Sequence, residues 1–190
     1  MFASGEGTTF AALADDLRSG TANAEVVLLV VSRPGVGAAA AAQARGIECA
    51  VLDETAIGPE RCDAQTLELL QARGIELVVL AGYLRKIGPR TLAAFPGAMI
   101  NTHPAPLPRF GGRGMFGEHV HRAVLASGVT MSAATVHLVD PEYDTGPVIA
   151  RAPVPVLAGD DVSSLRARVQ RAERGLLRDT VERLTRSADD

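Results

Sequence analysis

The chain has 190 residues, 47% of them hydrophobic, with a net charge of −3 and only two Tyr, five Phe and no Trp as aromatic side chains. That apolar fraction can build the buried core of one domain. The mild acidity gives no global basic field for nucleic acid, and so few aromatics offer no stacking platform for single strands. The two cysteines, Cys49 and Cys62, fit neither a metal spacing nor a disulfide framework, so a reduced, cytoplasmic setting is expected. No signal peptide is visible, and the longest apolar run, residues 26–31, is far too short to span a bilayer.

Residues 1–4 are apolar and read as a short first strand, followed by Gly5-Glu-Gly-Thr-Thr9 and a helix-like stretch from Phe10 to about Arg18. Strand, Gly-rich turn and helix is the layout of a phosphate loop, in which N–H groups at a helix N-terminus attract an anion. A plain tight turn uses the same residues. The stretch is not a Walker A motif, and Phe10 stands where the third Gly of a GxGxxG would be. The brevity of the first strand leaves open that the natural chain begins several residues earlier.

Residues 25–31 read as a buried strand, 37–46 as a helix and 47–52 as another strand. A helix over 61–73 stops at Gly74, a continuous apolar strand covers 75–81, and a loop covers 82–88. A short helix at 91–95 precedes a strand at 97–100, which runs into Asn101-Thr-His-Pro-Ala-Pro-Leu-Pro108. Alternating strands and helices predict an α/β fold with a mostly parallel central sheet, and continuous apolar runs predict strands buried on both faces. Ligands bind beyond the carboxyl ends of such strands. Residues 5–9, 82–88 and 101–108 are therefore the candidate loops.

Asn101 and His103 are two residues apart, so in extended backbone they share a face. The amide can donate to a developing oxyanion and the imidazole can carry a proton, although both residues are also ordinary turn formers. The glycines at 111, 112, 114 and 117 mark a mobile or close-approach loop. A helix over 118–127 carries His119 and His121, which diverge on a helix and lack an evident third metal ligand. Strands follow at 130–139 and 147–156 around an acidic turn, Asp140-Pro-Glu-Tyr-Asp-Thr-Gly146. Asp160 or Asp161 caps a final helix that runs to about Leu184. No internal repeat or linker is visible, so a single domain over 1–190 is expected.

Six stretches in order resemble the glycinamide ribonucleotide formyltransferases, folate-dependent enzymes of purine synthesis. They are Ser4-Gly-Glu-Gly-Thr-Thr-Phe10, Leu80-Ala-Gly-Tyr-Leu-Arg85, Ile100-Asn-Thr-His-Pro-Ala-Pro-Leu-Pro108, Thr135-Val-His-Leu-Val-Asp140, Tyr143-Asp-Thr-Gly-Pro-Val148 and Arg168-Val-Gln-Arg-Ala-Glu173. The likeness implies a three-layer, Rossmann-like formyltransferase fold. It also implies transfer of a formyl group from 10-formyltetrahydrofolate, a co-substrate, to the amine of glycinamide ribonucleotide, without metal. By resemblance Asn101, His103 and Asp144 are the catalytic trio, with Asp144 raising the His103 pKa so that imidazolium joins Asn101 in stabilising the oxyanion. Gly7, Thr8, Thr9 and Glu173 fall on the ribonucleotide site. Thr9 stands where many members carry Asn. Arg61, Leu84, Arg85, Lys86, Ile87, Asn101 and Asp140 fall on the folate site. His137 is read as a core or supporting residue, and Arg168 either steers the phosphate or covers the helix surface. Partners are thus small molecules, neither nucleic acid nor membrane, with monomer or homodimer open. The rivals are a formyltetrahydrofolate hydrolase, a methionyl-tRNA formyltransferase-like enzyme, which carries an additional domain, and a non-catalytic phosphate-binding module.

Overall fold

The computed structural model describes residues 1–20 and 23–186. Their elements are β1 (Phe2–Ala3), α1 (Thr8–Ser19), β2 (Leu28–Val31), α2 (Gly37–Gln43), β3 (Glu48–Val51), α3 (Glu54–Ile57), α4 (Pro59–Ala72), β4 (Val78–Leu80), α5 (Pro89–Ala94), β5 (Met99–His103), α6 (Glu118–Ala126), β6 (Met131–Leu138), β7 (Val148–Pro155) and α7 (Val162–Arg186). Strand order is β3-β2-β1-β4-β5-β6-β7. The chain forms two compact units, one of Met1–Ser19 and Glu25–Asn101, the other from Thr102 onward.

In the first unit every pairing from β3 to β5 is parallel. β1 has only two residues, yet it pairs with both β2 and β4. Its neighbour β2, Leu-Leu-Val-Val, is buried throughout, as its unbroken apolar run predicts. Each such side chain contributes about 1.5–3 kcal/mol relative to remaining in water. Phe10 and Ala14 of α1 and Ala38 and Ala42 of α2 pack with Leu29 and Val31. β3 departs from the expectation of two buried faces: it pairs with β2 alone, and Val51 is 48% exposed. An edge strand has one partner and one open side. The short helix α3 was not foreseen. Its cap is Asp53, whose side chain accepts from Thr55 N at 3.0 Å.

In the second unit β6 and β7 pair antiparallel, and the ladder slips between Val136 and His137. The long helix α7 buries Leu165, Val169, Glu173, Leu177 and Val181 at successive four-residue steps. Ala105, Phe110, Val120 and Val124 complete that core with Ala134 and Val154. At its start, Asp161 Oδ1 accepts from Ser164 N at 2.8 Å, so Asp161 is the cap. No helix among the described residues is long and apolar enough to cross a membrane.

Candidate active site

The carboxyl end of β5 carries Asn101, half-buried, then Thr102 and His103, both buried. Strand alternation places Asn101 and His103 on one face, as expected. The chain then turns through a cis Leu107–Pro108 bond into the Gly-rich segment. His103 is 3% exposed. Its Nε2 lies 2.8 Å from the Phe110 carbonyl oxygen, and its Nδ1 lies 3.4 Å from Asp144 Oδ2. A carbonyl can only accept, so Nε2 carries a proton.

Asp144 sits in the turn after β6 with φ of +60°. Its Oδ2 accepts from Gly112 N at 2.9 Å, and its Oδ1 lies 3.5 Å from His137 Nε2. The slip in the ladder immediately before His137 marks a bulge, a device that re-aims a side chain beside a site. His137 is 2% exposed, with Nδ1 at 2.8 Å from the Leu138 carbonyl. Gly146 closes the turn where a Cβ would overlap the Leu138 carbonyl oxygen.

Opposing effects act on the pair, and Asp144 pulls the His103 pKa up as expected. Burial pushes the His103 pKa down, and this outweighs the upward pull of Asp144 and the Phe110 carbonyl, so the ring is held below its ordinary value. Burial pushes the Asp144 carboxyl up. The His137 hydrogen bond, the His103 charge and the Gly112 N–H reverse this and leave it below the usual carboxylate range.

Two further buried groups belong to this unit. Glu173 is 8% exposed, and its Oε1 accepts from the Thr102 hydroxyl at 2.9 Å. His121 is 2% exposed, with no hydrogen-bond partner for Nδ1. Burial, Arg166 and His103 push its pKa down to about 4. Asp140 accepts from Thr145 Oγ1 at 2.8 Å and Glu142 N at 3.1 Å, so it shapes the turn that carries Asp144. Arg168 is committed to Asp160 through contacts of 2.7 and 2.8 Å and to the Pro155 carbonyl, which favours the surface role over phosphate steering.

The other expected residues lie in the first unit. Gly7, with φ of +72°, precedes α1, and Thr8 and Thr9 are its first two residues. A Cβ on Gly7 would come within 2.6 Å of Ala38 Cβ. The first N–H groups of a helix are the kind of donor an anion binds. Leu84, Arg85 and Lys86 are exposed and Ile87 is half-buried. Leu84 N donates to Ser4 Oγ at 3.0 Å, and Ser4 Oγ accepts from Ser32 Oγ at 2.8 Å. One hydroxyl thus joins the roots of both loops. Arg61 is exposed in the first turn of α4. A groove of about 530 Å³ between α4 and α5, lined by Leu67, Glu68, Gln71 and Arg90 among others, contains none of the expected residues. No cluster of His, Cys, Asp or Glu able to hold a metal occurs among the described residues.

Sequence reasoning missed the backbone partners of His103 and Asp144, because a carbonyl and an N–H leave no residue signature. It also missed the burial of His121. The polar Nδ1 of His121 shares a helix with Val120 and Val124, and that apolar company was the available signal.

Residues 1–181 match the family model described as formyl transferase. A phosphoribosylglycinamide formyltransferase of Bacillus subtilis is 32% identical over 91% of this chain and 87% of its own length. The chloroplastic phosphoribosylglycinamide formyltransferase of Arabidopsis thaliana is 38% identical over 93% of this chain and 61% of its own length. The chain thus spans about three fifths of such plant relatives. Among solved structures, a glycinamide ribonucleotide transformylase of Geobacillus kaustophilus superimposes with a TM-score of 0.88 at 34% identity, covering 97% of this chain and 96% of that one.

Proposed function

The chain belongs to the formyl transferase family, and from that membership we propose that it moves the formyl group of 10-formyltetrahydrofolate to the amine of glycinamide ribonucleotide. The observation that carries the reading is the buried His103–Asp144–His137 cluster two residues beyond Asn101. The relatives' names carry the formyl acceptor, glycinamide ribonucleotide, while the folate donor rests on the motif resemblance, and these side chains suit the chemistry.

The amine nitrogen attacks the formyl carbon and forms a C–N bond, and the carbonyl electron pair moves to oxygen. Asn101 donates a hydrogen bond to that oxyanion. The His103–Asp144 pair accepts the proton the amine loses. When the bond to folate N10 breaks, the same proton passes to N10 and the pair returns to its starting state. No covalent bond to the protein forms. In this scheme Gly7, Thr8 and Thr9 hold the ribonucleotide phosphate on the α1 N-terminus, and Glu173 receives the glycinamide part. Residues 84–87, Arg61 and Asp140 face the folate.

The test is release of deformylated folate from a 10-formyl folate, followed by absorbance with and without glycinamide ribonucleotide. Release only with the ribonucleotide is expected. Release without it assigns a hydrolase, and no release with retained ligand binding assigns a binding module.

A further inference from the structure

Residues 110–112 touch both members of the proposed catalytic pair with backbone atoms alone. The Phe110 carbonyl takes the Nε2 proton of His103 at 2.8 Å, and two residues on the Gly112 N–H reaches Asp144 Oδ2 at 2.9 Å. Between them, Gly111 lies so close to the Asp144 turn that a Cβ would come within 2.9 Å of Asp144 Cβ and 2.5 Å of Leu107 Cδ2. Real Cβ atoms do not approach so closely. Phe110 itself is fixed, since its ring packs in the core with Ala105, Val120 and Val124. Beyond Gly112 the chain is exposed at Arg113, Gly114 and Phe116.

We propose that residues 110–112 act as a backbone clamp that positions His103 and Asp144 together, with Gly111 the residue that permits it. The idea rests on the roles proposed above for His103 and Asp144. Each contact holds one partner in the state the chemistry needs. The carbonyl fixes the ring's tautomer and plane. The N–H fixes which carboxylate oxygen faces the ring and favours its ionised form. The remaining charged groups facing the pair are His137 from β6 and, toward His103, His121 from α6. Neither belongs to the clamp. A shift in residues 110–112 therefore moves both catalytic groups at once and leaves the binding loops of the first unit untouched.

The experiment compares wild type with Gly111→Ala and, as a control from the same loop, Arg113→Ala. The His103 ring is titrated by ¹H–¹⁵N NMR and the Asp144 carboxyl by ¹³C NMR, in protein without substrate. In Gly111→Ala the His103 midpoint is expected to move down by about 0.5–1 pH unit, because a hydrogen bond favouring imidazolium is lost, and that of Asp144 to move up. With substrates, kcat is expected to fall on the order of 10²-fold while both KM values hold, the scale of a small misplacement of reacting groups. Arg113→Ala keeps wild-type midpoints and kcat. Should Gly111→Ala fail to fold, an amide-to-ester replacement at Gly112 removes the N–H without adding an atom and is expected to raise the Asp144 midpoint alone. Unchanged midpoints in a folded variant overturn the clamp. Because the titrations need no substrate, a wild type that transfers no formyl group defeats the functional reading without deciding this one.

Discussion

Asp63 lies outside the proposed site residues, yet its removal is the sharpest test of how the first unit holds its loops. Helix α5 begins at Pro89 and lacks a capping side chain of its own, because its N-cap residue is Gly88. The missing cap is supplied from α4. Asp63 Oδ2 accepts from Arg90 N at 2.9 Å, and Oδ1 accepts from Thr91 N at 3.0 Å and Thr91 Oγ1 at 2.6 Å. Asp63 is 6% exposed and Thr91 is fully buried. Asp63→Ala strips Arg90 N and Thr91 N of their acceptor and leaves the Thr91 hydroxyl only the Asp63 carbonyl at 3.2 Å. A lost cap costs about 1 kcal/mol, and each buried donor left unsatisfied costs about 1–3 kcal/mol, so a total of about 3 kcal/mol is expected. At roughly 2–4 °C per kcal/mol for a chain of this size, Tm falls by about 6–12 °C. Asp63→Asn keeps one acceptor oxygen and loses about half as much.

The pH arm fixes the mechanism. Burial pushes the Asp63 carboxyl up, but the Thr91 hydroxyl and the two N–H groups more than reverse this, so it titrates below its usual range. A depressed carboxyl contributes its full stability above the unfolded value of about 3.9 and loses it as pH falls through the lower native value. Urea unfolding should therefore show wild type converging on Asp63→Asn in acid. A Tm loss under about 2 °C for Asp63→Ala, or a wild-type advantage that persists unchanged in acid, refutes the reasoning.

Four other outcomes follow from the geometry. Asn101→Ala lowers kcat by about 10²–10³, the scale of one oxyanion donor, and a loss under about threefold removes Asn101 from the mechanism. Asp144→Asn takes away a charge that raises the His103 pKa, so the acid limb of the kcat profile moves to lower pH; an unshifted limb argues against the pair. His121 is neutral when folded and protonates only near pH 4, whereas the unfolded ring protonates near 6.5, so stability declines as pH falls between those values. His121→Phe should flatten that part of a urea-midpoint-versus-pH curve. Gly146→Ala puts a methyl onto the Leu138 carbonyl oxygen and should cost about 3 kcal/mol or more by calorimetry.

The strands of the first unit were legible because a strand covered on both faces must be apolar without interruption, and 28–31 and 78–80 are. The edge strand was the exception, since nothing in its sequence states how many partners it has. Glu173 carried a readable signal: it falls in phase with Leu165, Val169, Leu177 and Val181, and a carboxylate on a buried stripe requires a partner. That the partner is Thr102, 71 residues away, was not readable. The same holds for Asp63 and Thr91, and for Asp144 against His137, where a bulge and a left-handed residue return the chain upon itself. Arg168 showed no preference in sequence because its role is decided by where Asp160 stands. Residue types revealed which groups could do chemistry. Their protonation depended on burial, which a linear pattern reports poorly.

The two-residue strand β1 leaves little slack in the first unit. Its last neighbour, Ser4, gives one hydroxyl oxygen to both Ser32 and the backbone of the 84–87 loop, and the very next residues enter the turn that leads to α1. Under the binding scheme proposed above, a ligand that shifts this oxygen while seating on one loop does so for the other as well. Thermodynamic reciprocity then applies: whatever factor the first ligand imposes on the second one's affinity, the second imposes equally on the first. Order of addition cannot alter that factor, and Ser4→Ala is the substitution that reduces it toward one.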